Sequence, residues 1–267
     1  MQLGKVFPSI LKNTIECSFV KEDSIPIGSS KFGGQPDLTV KSRPLSFLAQ
    51  INCQEISKYD TESLLPASGI LYFFYELDSM SWGFDPKDAG SAKVFYYEGD
   101  ISKLARVDFP ADLEEDYQMP ELKIQLSNRN DLPSYEEFSS DFEYDDIGDK
   151  EMDDYDDIRE NYLNTEEKNT ISKILGYADV IQGEMRLECE EIANSIYCGS
   201  PQDIDSEKFV KLKQDSKQWQ LLFQLDTVEC DDFELMFGDC GRIYYYIRKD
   251  DLRNRKFDNC WLILQCY

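Results

Sequence analysis

The side chains of this 267-residue chain that could do chemistry are defined first by an absence: there is no histidine. Without imidazole there is no Ser-His-Asp or Cys-His pair, no histidine-bound zinc or haem, and no histidine proton shuttle. Catalysis would have to rest on carboxylates, lysine, tyrosine, an unaided cysteine, or a hard cation held by carboxylates. Asp78, Asp85 and Asp88 with Gly83 resemble part of an EF-hand loop, since Gly83 falls at its glycine position. Met80 and Trp82 stand at the third and fifth places, however, and Ala89 at the twelfth, so the ligand set fails. Gly33 and Gly34 before Pro36 and Asp37 suit a tight turn with positive φ. Neither a Walker spacing nor G-x-G-x-x-G accompanies them, which argues against a phosphate cradle.

Four further residues form candidate pairs. Asp37 and Asp179 occupy matching places in GQPD and GYAD. Brought together by a pseudo-twofold, the two carboxylates could bind a metal or act as acid and base, and turn capping is the alternative. Gln50 lies in LAQIN and Gln224 in LFQLD. A buried strand amide either satisfies backbone groups or touches a ligand. The eight cysteines, Cys17, Cys53, Cys189, Cys198, Cys230, Cys240, Cys260 and Cys266, contain no C-x-x-C pair. Zinc-ribbon and thioredoxin-like signals are therefore absent, and a reduced cysteine in an apolar run behaves as a small hydrophobe. No cofactor is indicated.

Charge narrows the partners. With 53 acidic and 28 basic residues the chain carries a formal charge of -25 and a pI near 4.3. Nucleic acid and anionic membranes would be repelled, so a charged partner should be basic. A 41% hydrophobic and 13% aromatic composition still supports a globular core despite a mean hydropathy of -0.52. The start of the chain lacks the apolar run of a signal peptide and no later run approaches a membrane span, so a cytoplasmic location is expected.

The elements that must position these residues are organised around Leu65 to Tyr97, because that stretch returns in altered form near the C-terminus. GQPD, LAQIN, GILYFFYE and VFYY are followed, in the same order, by GYAD, LFQLD, GRIYYYIR and WLILQCY. The reading is an internal duplication: a β-rich α+β protein of two related halves, each with antiparallel strands and flanking helices, sharing one core. It divides into residues 1–29, a lead-in helix limited by Pro8; 30–138, the first half with an irregular connection; 139–170, an acidic linker and helix; and 171–267, the second half. These are expected to form a single compact domain. Whether the core holds one sheet or two is left open. Residues 141–157 concentrate acids, among them Asp145, Asp146, Asp153 and Asp154, with aromatics interleaved. Such a block reads as a solvated linker or as a strip for a basic surface. Trp82 and Asp85, in the loop between two strands, are further candidate contacts.

The stretches SKFGGQPDL, PLSFLAQIN, LPASGILYFFY, GFDPKDAGSAKVFYY, LGYADVIQ, WQLLFQLD, FGDCGRIYYYI and FDNCWLILQCY resemble, in order, the YwqG-like family of bacterial proteins, whose function is generally described as unknown. Two departures are Arg43-Pro44, where Trp-Pro often precedes the PL-x-FLAQI run, and Ser172, where a histidine is common. The family has no agreed catalytic residues to transfer. Some relatives sit among genes for toxins and immunity proteins, so the resemblance implies an interaction protein that neutralises a partner. The expectation is a non-enzymatic binding protein, immunity-like towards a basic, toxin-like protein. The alternative is a small-molecule-binding protein or carboxylate-dependent hydrolase with its site between the halves.

Overall fold

The computed structural model describes residues 3–38, 45–141, 154–163 and 171–267. In chain order it has helix α1 (Leu3–Ile10), strands β1 (Lys12–Val20), β2 (Lys31–Phe32), β3 (Asp37–Leu38) and β4 (Ser46–Asn52), helix α2 (Cys53–Ile56), then β5 (Ile70–Tyr75), β6 (Ala92–Tyr97), β7 (Ala105–Arg106) and β8 (Leu122–Asp131). Helices α3 (Tyr135–Asp141) and α4 (Tyr155–Leu163) lead to β9 (Ser172–Ile174), α5 (Arg186–Ala193) and α6 (Ser206–Ser216). The chain finishes with β10 (Trp219–Leu225), β11 (Val228–Cys230), β12 (Phe233–Leu235), β13 (Arg242–Arg248), α7 (Lys249–Arg253) and β14 (Trp261–Gln265). The fold is α+β and β-rich, and no helix among the described residues is long and apolar enough to cross a membrane.

Among the described residues the core is built on one ten-stranded antiparallel sheet, in the order β14-β13-β10-β9-β1-β8-β2-β4-β5-β6, with two-stranded pairs β3-β7 and β11-β12 beside it. From the central β1–β8 pair, one arm runs β2-β4-β5-β6 and the other β9-β10-β13-β14. In both arms the strand after the short inner one carries a bulge, at Leu48 in β4 and Leu222 in β10. Each bulge leaves a carbonyl free of the ladder. Leu48 O accepts from Gly33 N at 2.8 Å, and Leu222 O from Leu175 N at 3.2 Å.

Strands β4 and β5 are buried on both faces, which is why SFLAQIN and ILYFFY read as near-continuous apolar runs. Alternate residues serve different layers. Leu71, Phe73 and Tyr75 face a core shared with Phe223, Ile243 and Tyr245 of the other arm, whereas Ile70, Tyr72 and Phe74 pack under Leu38 and Leu104. The Phe73 ring lies 4.6 Å from that of Phe223, and the Tyr245 hydroxyl donates to Phe74 O at 3.0 Å. The sheet curls so that its end strands, β6 and β14, come into contact.

Two expectations need correction. The lead-in is not one helix: α1 passes through Pro8, and residues 12–20 form β1 at the centre of the sheet. Pro8 lies past the first turn of α1, so it forfeits the bond its N–H would have made to Gly4 O, and the helix ends two residues later at Ile10. The irregular connection before residue 138 also contains a full central strand, β8, paired with β1 from Lys12↔Asp131 to Val20↔Lys123. Its polar run SNRND masked the pattern, because burial alternates only over its first residues.

Candidate functional site

The glycine turn after β2 forms as its residue types suggest, with Gly33 at φ +59° and Gly34 at φ +67°. It carries Asp37 back over the sheet to Gln50. Gln50 Nε2 donates to Asp37 Oδ2 and to Ser29 O, each at 2.8 Å, and its Oε1 accepts from Asp37 N at 3.1 Å. The Tyr72 hydroxyl donates to Asp37 O at 2.5 Å. Beneath them Lys31, fully buried, donates to Gln35 O at 2.6 Å and to Glu121 at 2.9 Å, and stands 3.6 Å from Asp37 Oδ1. Arg106 closes the cluster, 3.3 Å from Asp37 and 2.7 Å from Glu121.

The other arm repeats the arrangement. Gln224 Nε2 donates to Asp179 Oδ2 at 2.9 Å and to Ile171 O at 2.7 Å, its Oε1 accepts from Asp179 N at 2.9 Å, and the Tyr244 hydroxyl donates to Asp179 O at 2.7 Å. Lys173 donates to Asp131 at 3.0 Å and lies 2.8 Å from Asp179. Arg159 stands 3.8 Å from each of these aspartates. Burial opposes ionisation of Asp179, but the adjacent Lys173 ammonium outweighs it and holds the carboxyl down at about 2. Burial pushes Lys31 below its ordinary value against the pull of Glu121 and Asp37. These are closed constellations whose polar atoms are committed to one another.

Asp37 and Asp179 therefore do not form a catalytic pair. Each is held by the lysine of its own arm, and β2 and β9 are separated by β8 and β1, three strand spacings or about 14 Å. The two glutamines and two aspartates singled out from the sequence do meet, one of each per arm. The lysines were missed. Extending the GQPD and GYAD match upstream would have found them, since Ser30-Lys31 and Ser172-Lys173 stand at the same offset.

A third group surrounds Arg186, which reaches Asp141 at 3.1 Å through both terminal nitrogens, Glu184 at 2.5 Å and Glu137 at 3.6 Å. Burial pushes the Glu137 carboxyl up to about 7, partly countered by Arg186, and its Oε2 has no hydrogen-bond partner. Among the described residues no three acids or cysteines gather as a metal site would require.

Among the described residues, one concavity is a pocket of about 580 Å³ where β6 and β14 meet. Its walls are the Pro86–Lys93 stretch entering β6, the end of α5, Trp219, Arg248, Asp251 and Asp258, and the start of β14 with Cys260 and Trp261. It joins the two arms. Burial pushes the Cys189 and Cys260 thiols well up, so both are held as thiols and neither is primed as a nucleophile. Arg248 is 2.5 Å from Glu190 and stacks over Trp219 at 4.9 Å.

The loop candidates flank this pocket. Trp82 is 40% exposed, and its carbonyl accepts from Leu264 N at 3.0 Å, covering part of the β14 edge. Gly83 must be glycine: its φ is +80° and a Cβ would stand 1.9 Å from Leu262 O. Asp85 caps the short helix Pro86–Asp88, and Asp88 accepts from the Gly83 and Asp85 N–H groups, so both carboxylates serve the turn. Asp154 is exposed just before α4. Asp145, Asp146 and Asp153 lie outside the described residues.

Residues 30–266 match the family model for a domain of unknown function, DUF1963, and the chain belongs to that family. No curated protein matches it.

Proposed function

We propose that this member of a family of unknown function is a non-enzymatic binding protein for a basic protein partner, immunity-like in that it neutralises what it binds. The observation that carries the reading is how the charge is distributed. The buried cations Lys31, Lys173 and Arg186, and the half-buried Arg242, are consumed internally, each paired with carboxylates. These cations are then not available to offset the excess of 53 acids over 28 bases elsewhere in the chain. An acidic surface steers a basic partner and raises its on-rate more than its residence time. The absence of histidine and the thiols suppressed by burial favour binding over catalysis.

The finer likeness to the YwqG-like proteins belongs to the same proposal, as does the common origin of the two arms. Support for duplication comes from matched residues making matched bonds: Lys31 with Lys173, Asp37 with Asp179, Gln50 with Gln224, Tyr72 with Tyr244, and the bulges at Leu48 and Leu222. Aligning the two arms across family members tests it; residue pairs that vary without relation to each other would argue for convergence on a stable sheet.

The second reading, a small-molecule site or hydrolase between the arms, draws on the position of the pocket at the β6–β14 seam. A tagged pull-down from source lysate at low and high salt, with mass spectrometry of proteins and released metabolites, separates the two. A stoichiometric basic protein lost at high salt is the expected result. A retained metabolite without a protein would overturn the binding-protein reading.

A further inference from the structure

We propose that the seam pocket takes up a guanidinium or alkylammonium group, presented as an arginine or lysine side chain by a basic protein. The inference rests on the function proposed above and names the place where that partner is anchored. At about 580 Å³ the pocket is large enough to enclose a long side chain, and clefts of this size are ordinary ligand sites. Its chemistry is that of a cation receptor. Asp251 and Asp258 line it, and among the described residues neither carboxylate has an ion pair or hydrogen bond. Trp261 lines the same pocket with its N–H already given to Gly83 O at 2.8 Å, so its indole brings aromatic surface and no free donor.

Arg248 in the same pocket shows what such walls hold: its guanidinium sits over the Trp219 indole at 4.9 Å with the Glu190 carboxylate at 2.5 Å. That cation is neutralised internally. Trp261, Asp251 and Asp258 bring a second indole and two carboxylates to the walls of the same pocket. The remaining basic wall residue, Lys93, is exposed and free to swing towards solvent. An anionic ligand would meet Asp88, Asp251 and Asp258 together, which the lining's Lys93 and the Glu190-paired Arg248 do not offset. Close in the chain to Gly83, which Trp261 bonds, and to Ser195 of the lining, Trp82 and Tyr197 are 40% and 43% exposed, and their segments are joined where Phe84 O accepts from Cys198 N at 3.0 Å. Exposed aromatics on segments next to an acidic pocket suit a protein partner more than a free amine.

The test is nitrogen-edited NMR of the tryptophan indoles in the full chain, titrated with arginine amide, with an arginine-rich peptide, and with alanine amide as control. The peptide should shift the Trp261 indole saturably and more tightly than arginine amide does, and alanine amide should not. The double substitution Asp251→Asn and Asp258→Asn should weaken peptide binding about tenfold with an unchanged melting temperature. Peptide binding that leaves Trp261 unmoved and tolerates the double substitution would overturn the pocket assignment while leaving the proposed function standing. No binding of either basic probe at low salt would remove both. Arginine amide binding as tightly as the peptide would mark a small-amine site and overturn the protein source.

Discussion

Burial without a partner is the clearest feature at the scale of single residues, and Glu188 is its sharpest case. It lies in the first turn of α5 with Oε2 buried and unpartnered. Burial, then the nearby Glu184 and Glu191 carboxylates, push its carboxyl up to about 7 from the ordinary 4.5. The folded state thus favours the proton, so the stability tied to this group is fully present below about pH 4.5 and is lost as pH rises through about 7. Glu188→Gln keeps the shape and removes the charge. Thermal melts above pH 7 should show the variant more stable by ~2 kcal/mol, discounted for partial solvent contact, and the two proteins should coincide near pH 4.5. Equal stability at every pH would show that the carboxylate finds a partner in solution. Asp179 acts in the opposite sense: held down at about 2, it stabilises above its ordinary 3.8 and that contribution is lost as pH falls through about 2.

At the scale of elements, the buried lysines tie the loops after β2 and β9 down onto the sheet, and their surroundings differ. In the first arm Arg106 also reaches both Asp37 and Glu121, at 3.3 and 2.7 Å. In the second, Arg159 stays 3.8 Å from Asp131 and Asp179. Lys173→Met therefore leaves the Asp131 and Asp179 carboxylates with Arg159 alone, at 3.8 Å, and should cost about 3–5 kcal/mol in denaturant unfolding, whereas Lys31→Met should cost clearly less because Arg106 stands closer. Equal losses would mean that the arginines contribute nothing. The glutamine and aspartate of each cluster were legible in the sequence, because GQPD/GYAD and LAQIN/LFQLD repeat in order and amides in apolar strands stand out. The lysines were not, since a lysine in a short polar stretch reads as solvated until the topology buries it. Strands β4, β5, β10, β13 and β14 were readable from their aromatic and branched runs. Strand β1 was hidden by the spacing of Val6, Ile10 and Ile15, which imitates a helix, and β8 by its polar second half. The seam pocket was illegible for a different reason: its walls come from residues 86–93 and 189–262, which only the curl of the sheet brings together.

For the whole molecule, the decisive quantity is a formal charge of -25 on one curled sheet. Self-repulsion among surface carboxylates destabilises the compact state, and added salt screens it over distances of about 10 Å at moderate ionic strength. The buried ion clusters are screened far less, because no solvent ions reach Lys31 or Lys173. Stability of the free protein should accordingly rise with salt, by a few degrees in melting temperature between low and high ionic strength. Association with a basic partner depends on the same field but with the opposite sign: screening removes the steering and slows binding. One salt titration, followed by melting temperature and by association rate, should give opposite slopes. If melting fell with salt, surface ion pairs such as Lys21–Asp231 and Arg255–Glu98 would outweigh the repulsion, and the acidic excess could not serve as the steering field proposed for this protein.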